Sequence, residues 1–173
     1  MAGTSGTAGV GGRGRDLLGI YLNDHLAGAT AGVDLFRRAA GAHRGSAVGT
    51  TLEQLAAEVA EDRGSLQDMM TVLGIPVRRY KLYAAWAAEK VGRLKLNGSL
   101  LERSPLSTVV ELEGMKLGVE GKVAGWRTLR TVADRDGRLD AQRLDALLAR
   151  ARQQADVLEE LRISAAAEVF SGS

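Results

Sequence analysis

Imidazole and carboxylate side chains near the middle of predicted helices are the groups of this sequence that could do chemistry. His25 and Asp62 each stand on the apolar face of a predicted helix, close to its midpoint. Because the midpoints of two antiparallel helices meet, we expect His25 and Asp62 to lie close together. The other expected members of this central polar layer are Glu58, Gln154 and either Glu113 or Glu120.

Such a layer could serve three purposes. An unpaired buried charge costs about 3–5 kcal/mol, so the layer must be hydrogen-bonded internally, and this favours a structural layer that fixes helix register. A mononuclear metal site made of His25 and carboxylates is one alternative, and a small-molecule pocket is another. One imidazole is too little for acid–base catalysis, so we assign no catalytic residue, no cofactor and no metal.

Glycines inside two predicted helices are the second unusual feature. Each costs up to about 1 kcal/mol relative to alanine, so their spacing along one stripe needs a cause. The stripe consists of Gly114, Gly118, Gly121 and Gly125 in one helix and of Gly28 and Gly32 in the first helix. Tight packing of these two helices is the simplest cause. Alternatively, the stripe is a groove that receives a partner helix across a dimer axis or the tail of a ligand.

A basic segment interleaved with aromatic residues is the third feature. Its cations are Arg78, Arg79, Lys81, Lys90, Arg93 and Lys95. The pattern favours a helix over residues 76–95 that docks on the other helices and leaves its charges solvated or paired. Binding of nucleic acid or of an anionic membrane surface is the alternative, although a net charge of only +2 does not by itself favour nucleic acid.

Length and composition limit the class of protein. The chain has 173 residues, enough for one domain, and contains no cysteine, which excludes disulfides, thiolate metal sites and a cysteine nucleophile. Its apolar runs are far shorter than the roughly 18–20 residues of a membrane span. The sequence therefore predicts a soluble, cytoplasmic protein.

Helical periodicity extends through most of the chain, and no stretch alternates as a half-buried strand does. Residues 1–14 are predicted to be a disordered tail and residues 15–173 a single helical domain. The expected helix ends are marked by Asp16, by a capping box at Thr50 or Thr51, and by Gly74, Pro76, Pro105 and Asp140. We expect an all-α fold of two antiparallel hairpins, joined by a long crossover that contains a fifth, shorter helix.

This order of elements resembles the ferritin-like four-helix-bundle superfamily over residues 16–170. The chain is also similar to a set of short uncharacterised proteins of high-GC Gram-positive bacteria in YLNDHLAGATAGVDL, LAAEVAEDRGSLQDMM and GRLKLNGSLLERSPLSTVVELEGMKLGVEGK. The superfamily resemblance implies a di-iron centre with two Glu-x-x-His pairs. This sequence lacks both pairs, because its two histidines are His25 in the first helix and His43 in a predicted loop.

The expected function is therefore that of a ferritin-like bundle without its metal ligands. We expect a non-enzymatic binding or interaction protein, dimeric, with an unidentified protein or small-molecule partner. The first alternative is a metal-binding oxidoreductase or metal-storage relative that uses carboxylates plus His25. The second alternative is a binder of nucleic acid or of an anionic surface through the basic segment.

Overall fold

Four helices make up the part of the chain that the computed structural model describes, residues 8–78 and 105–171, and this part contains no strand. The expected all-α class is confirmed. The helices are α1 (Ala8–Ala42), α2 (Ala47–Val72), α3 (Pro105–Ala133) and α4 (Ala141–Ser171).

The helices form a square in which α1 contacts α2 and α3, and α4 contacts α3 and α2. Short connections make α1 antiparallel to α2 and α3 antiparallel to α4. Contacts between the two hairpins give their relative direction: Tyr21 Oη lies 3.1 Å from Thr128 Oγ1, and His25 packs on Gly125. Later residues of α1 thus contact earlier residues of α3, so this pair is antiparallel as well.

Helices α2 and α4 are antiparallel for the same reason. Arg150 donates to Glu61, and Gln154, one turn later, donates to Glu58, one turn earlier. All four neighbouring pairs are therefore antiparallel, whereas α2 and α3 run in the same direction across a diagonal. The last turn of α2 and the first turn of α3 consequently lie at opposite ends of the bundle.

Two helices begin earlier than predicted. The N-cap of α2 is Ser46, whose hydroxyl accepts the amide of Gly49 at 3.0 Å, so the capping box expected at Thr50 or Thr51 is wrong. Gly49 fits this turn because a Cβ there would lie 2.1 Å from the His43 carbonyl oxygen. Asp140, by contrast, caps α4 as predicted, since its carboxylate accepts the amides of residues 142 and 143.

Helix α1 begins at Ala8 instead of near Asp16, so residues 8–14, predicted to be part of a disordered tail, are helical. Residues 1–7 lie outside the described part. Arg15 explains how the N-terminal end of α1 is held, because its guanidinium donates to the carbonyl oxygens of Leu73 and Gly74 at 3.2 and 3.1 Å. Gly74 has a φ of +65°, as predicted for the residue that ends α2.

The chain after α2 is irregular over residues 75–78, so the helix predicted to begin at Pro76 is absent there; the rest of the predicted fifth helix lies outside the described residues. Asn23, which is 3% exposed, provides the physical reason. Its Nδ2 donates to the carbonyl oxygen of Pro76 at 3.2 Å, and its Oδ1 accepts the amide of Arg78 at 2.7 Å. These bonds hold the segment against α1.

The buried core consists of two apolar clusters at different heights of the bundle. One contains Leu22, Met70, Leu129 and Leu144, and the other contains residues such as Phe36, Leu52, Leu112 and Leu158. Asp62 and Gln154 are buried at the height between them. The apolar core is therefore interrupted at mid-bundle by a polar level.

Candidate functional site

Asp62 is the centre of a charged network at mid-bundle. Its side chain is 1% exposed, and both of its carboxylate oxygens are taken by cations of other helices. Lys122 Nζ of α3 lies 2.5 Å from Asp62 Oδ2, and the Arg150 guanidinium of α4 donates to Asp62 Oδ1. Three helices thus meet on one buried carboxylate.

Neighbouring side chains complete this network, which we call the charge layer. Lys122 also donates to Gln154 Oε1, and the Gln154 amide donates to Glu58 Oε2 at 2.9 Å. Arg150 donates to Glu61 Oε2 at 3.0 Å. The charge layer consists of Glu58, Glu61, Asp62, Lys122, Arg150 and Gln154. Its three carboxylates and two cations give it a formal net charge of −1.

Burial and ion pairing have opposite effects on the pKa values of the two cations in the charge layer. Burial lowers the pKa of the Lys122 ammonium, and the nearby Asp62 carboxylate counteracts this shift. Burial also acts to lower the pKa of Arg150, but its hydrogen bonds to Asp62 and Glu61 outweigh that effect and leave the pKa raised. The cations depend on the carboxylates for their stability inside the bundle.

A di-iron centre does not fit these side chains. Each metal of such a centre needs free carboxylate oxygens and an imidazole, and no group of three His, Cys, Asp or Glu residues is placed to hold a metal ion within residues 8–78 and 105–171. Both oxygens of Asp62 already accept hydrogen bonds from cations. A dication would have to displace Lys122 and would meet Arg150, so repulsion disfavours it.

The structure brings together part of the predicted central polar layer. Glu58, Asp62 and Gln154 are linked by hydrogen bonds. Glu113 lies elsewhere, with its carboxylate 3.6 Å from the Arg162 guanidinium, and Glu120 is exposed and has no hydrogen bond to the layer within the described part of the chain. The expected approach of Glu113 or Glu120 is therefore not found.

His25 borders the same cavity as Asp62 but contacts other residues. Its ring centroid lies 4.4 Å from that of Tyr21, edge to face, and its Nδ1 would lie 3.1 Å from a Cβ at Gly125. Burial lowers the pKa of His25, and the nearby Asp24 carboxylate partly counteracts this. The lowered pKa favours the neutral imidazole. It forms no hydrogen bond to Asp62 among the described residues.

A cavity of about 480 Å³ lies between α1 and α3 and extends to α2. We call it the α1–α3 groove. All six glycines of the predicted stripe line it: Gly28, Gly32, Gly114, Gly118, Gly121 and Gly125. Leu35, Phe36, Met115 and Val119 contribute apolar surface, while Asp62 and Lys122 bring one side of the charge layer to its wall.

The glycines leave open space instead of bringing α1 and α3 into contact. A Cβ at five of the six glycines would have no described atom within 4 Å. Gly125 is the exception, because His25 packs against it. Tight packing of the two helices, the simplest cause that the spacing suggests, therefore applies at Gly125 but not along the rest of the stripe, where the absence of side chains widens the groove.

Two donor groups in the wall of the α1–α3 groove have no acceptor. Trp126 is 3% exposed, and its buried indole Nε1 has no hydrogen-bond partner within the described residues. Arg63 also lines the groove, its Nε is buried, and its guanidinium forms no ion pair with any described carboxylate. Buried donors are normally satisfied, so these two are exceptions that need an explanation.

Of the six cations of the basic segment, only Arg78 lies within the described residues. Arg78 is exposed, and its backbone amide bonds to Asn23. Arg79, Lys81, Lys90, Arg93 and Lys95 lie outside the described residues, as do the aromatic residues between them. Among the helices of the described ranges, none has an apolar stretch long enough to cross a membrane.

Sequence reasoning did not assign Lys122, Arg150 or Arg63 to the site. Their positions do carry a signal: Lys122 stands three residues after Val119 and four before Trp126, on the apolar face of α3. Arg150 stands four residues before Gln154 on α4. A cation at an apolar helical position opposite a buried carboxylate could have been recognised as its partner.

Comparisons with known proteins provide no relative on which to base a function. No family model, curated protein or solved structure matches this chain. The functional argument therefore depends on the geometry of the groove and the charge layer.

Proposed function

We propose that this chain is a ferritin-like bundle that works as a binding protein and takes up a small apolar or amphiphilic molecule in the α1–α3 groove. The observation that carries the proposal is the cavity of about 480 Å³ bordered by six glycines. Small-molecule sites typically enclose about 300–1,000 Å³ and have apolar walls with a few polar groups, and the groove agrees with that description.

The ferritin-like assignment is supported by the helix directions. Two antiparallel hairpins pack so that every neighbouring pair is antiparallel, while α2 and α3 are parallel and diagonal. One long connection between the second and third helices of a bundle has this consequence. A bundle of four helices with short connections throughout would instead make α2 and α3 antiparallel neighbours.

The glycines support a binding role because they lower helix stability without closing the groove. Each glycine in a helix interior costs up to about 1 kcal/mol relative to alanine. At Gly114, Gly118 and Gly121 a methyl group would meet no described atom within 4 Å, so neighbouring side chains within the described ranges do not require glycine. A molecule seated in the groove would require it.

The charge layer favours binding over metal-dependent redox chemistry. Lys122 supplies a cation beside Asp62, at the height where the superfamily resemblance implies metal ligands. Its ammonium satisfies the carboxylate without a bound ion. We therefore propose that the layer holds the bundle together and forms one wall of the groove.

Calorimetric titration of 1-decanol, an uncharged apolar probe, tests the proposed function. We expect saturable binding to the full chain and its loss in Gly118→Leu, whose side chain would fill the groove. Ala124→Leu is the matched control, because residue 124 is exposed on α3 and does not line the groove. Absence of binding to the wild-type chain would contradict the proposal.

The Gly118→Leu variant also identifies other occupants of the groove. If a second copy of the chain filled it, sedimentation would reveal a dimer that Gly118→Leu dissociates. If another segment of the same chain filled it, Gly118→Leu would unfold the monomer. Either result would overturn the proposed ligand site.

Elemental analysis by plasma mass spectrometry separates the proposal from the metal-binding alternative. The protein is expressed in medium supplemented with iron, manganese and zinc and purified without a metal column. We expect less than a stoichiometric amount of any transition metal. About one equivalent that Asp62→Ala and His25→Ala both remove would instead support a metal site.

A further inference from the structure

The Arg63 guanidinium indicates what kind of head group a ligand carries. Arg63 lines the groove and forms no hydrogen bond or ion pair with any described residue. A guanidinium can donate hydrogen bonds but cannot accept them, so a ligand that binds it must offer acceptor oxygens. The indole N–H of Trp126 is enclosed by protein atoms, and a ligand in the groove does not reach it.

Charge narrows the choice of head group. Asp24, Asp62 and Lys122 also line the groove. Asp62 and Lys122 are paired with each other and with the rest of the charge layer, and Asp24 lies beside His25 and acts on its imidazole. Arg63 is the cation of the groove wall that no described carboxylate pairs, so one negative charge on a ligand would pair with it. A phosphate monoester carries between one and two negative charges at neutral pH and would add repulsion beside a layer of net charge −1. A carboxylate matches better.

The shape of the groove shows where an apolar tail would lie. Arg63 follows Asp62 in sequence, and Asp62 contacts Lys122, so these cations lie at a similar height of the bundle. From that height towards the N-terminal end of α3, the wall is formed by glycines and by Phe36, Met115 and Val119. Seven residues separate Gly121 from Gly114, which corresponds to about 10 Å along the helix. This length fits a medium-length alkyl chain.

Tyr21, His25 and Trp126 occupy the opposite half of the groove. His25 packs edge to face on Tyr21 and against Gly125, so aromatic rings fill space there. The tail is thereby directed away from these rings and towards the open glycines. The groove is thus polar near its middle and apolar along one half.

We infer that the α1–α3 groove binds a medium-chain monocarboxylate, with its carboxylate on Arg63 and its alkyl chain along Gly118 and Gly114. This inference rests on the proposed function and adds the head-group chemistry. The carboxylate supplies two acceptor oxygens and a single negative charge. The alkyl chain fills the space that the glycines leave.

Three probes of ten carbons each test the inference by calorimetry on the full chain at neutral pH. They are decanoate, 1-decanol and decylamine, whose head groups are anionic, neutral and cationic. A hydrogen bond to a charged group corresponds to roughly 10- to 100-fold in affinity. We expect decanoate to bind at least about 10-fold more tightly than 1-decanol, and decylamine to bind most weakly.

Arg63→Met tests the residue directly, since methionine keeps an unbranched apolar side chain and removes the charge. We expect decanoate affinity to fall to the level of 1-decanol, while 1-decanol binding is unchanged. Arg152→Met is the matched control, because Arg152 is exposed on α4 and does not line the groove. It should leave all three affinities unaltered.

The outcomes separate this inference from the proposed function. If 1-decanol binds but decanoate has no advantage, or if Arg63→Met leaves that advantage intact, the carboxylate assignment is overturned and groove binding stands. If decylamine binds most tightly, the assignment is overturned as well. If none of the three probes binds, both proposals fail.

Discussion

The two interfaces that join the hairpins of this bundle are built in opposite ways. Between α2 and α4, the long side chains of Arg143 and Arg150 span the interface and donate to carboxylates of α2, Asp62 among them. Between α1 and α3, glycines stand where other residues would carry side chains, and a cavity remains. The bundle is therefore closed by ion pairs on one side and open to an apolar groove on the other.

This difference shows how a bundle can have a cavity and still be held together. An apolar cavity weakens the packing around it, because its lining atoms lose contact partners. The charge layer opposes that loss at the same height by linking α2, α3 and α4 through Asp62. The charge layer thus stabilises the bundle at a level that the groove crosses.

Of the changes at the two interfaces, removal of the Asp62 carboxylate should lower the free energy of unfolding most. Asp62→Ala leaves Lys122 and Arg150 without their shared partner, and breaking a buried ion pair costs about 3–5 kcal/mol. We expect the free energy of unfolding, measured by urea denaturation, to fall by that amount.

A double variant provides the control for Asp62. Asp62→Leu combined with Lys122→Met replaces the buried pair by apolar side chains, so it should be more stable than Asp62→Leu alone. Equal stability of the single and double variants would mean that the pair does not act as a unit.

Alanine in the glycine stripe should have a smaller effect, and of the opposite sign. Gly118→Ala gains helix propensity in open space, so we expect the free energy of unfolding to rise by up to about 1 kcal/mol. Gly125→Ala should gain less or lose stability, because its Cβ would lie 3.1 Å from His25 Nδ1. Thermal denaturation of the two variants tests this, and a loss of stability in Gly118→Ala would show that the groove is filled.

The pH dependence of stability should report on the burial of His25, which lines the α1–α3 groove. Burial lowers the pKa of His25, so the unfolded chain binds its proton more readily than the folded chain. Stability should therefore decrease as the pH falls through about 6.5. We expect His25→Gln to flatten the dependence of the melting temperature on pH between about 7.5 and 5.5, and the loop variant His43→Gln to retain it. An unchanged slope in His25→Gln would contradict this account.

The ion pairs of Glu159, with Arg162 of α4 and Lys116 of α3, should produce the smallest effect, and at lower pH. Hydrogen bonds from Arg162 and Lys116 lower the pKa of Glu159 to about 2. Its contribution is present above the usual value near 4.5 and is lost as the pH falls from there towards about 2. Glu159→Gln should reduce the acid sensitivity in that window, measured by circular dichroism, whereas the exposed control Glu160→Gln should not.

The helices themselves were predictable from the sequence because their apolar periodicity and several caps are local signals. Asp140 and Gly74 have the roles that their types indicate. The beginnings of α1 and α2 were not predictable in this way. Arg15 holds α1 through carbonyl oxygens of residues 73 and 74, and Gly49 fits against the carbonyl of His43, so both ends depend on the folded neighbourhood.

The site was predictable only in part. The apolar face of α2 brings Asp62 inside, and the structure places Gln154 beside it. Lys122 was not assigned, because a lysine on a helix is usually solvated and its partner becomes evident only when the diagonal of the bundle is known. The glycine spacing indicated a stripe, but spacing alone cannot distinguish close packing from a cavity.

Chemical-shift mapping of the ¹⁵N-labelled full chain with 1-decanol tests the central claim most directly, because it reports on both interfaces at once. The account predicts saturable shifts at the amides of Gly28, Gly114 and Gly118, with the amides of Ser65 and Arg143 between α2 and α4 unmoved. Shifts centred on the α2–α4 interface, or none at all, would contradict it.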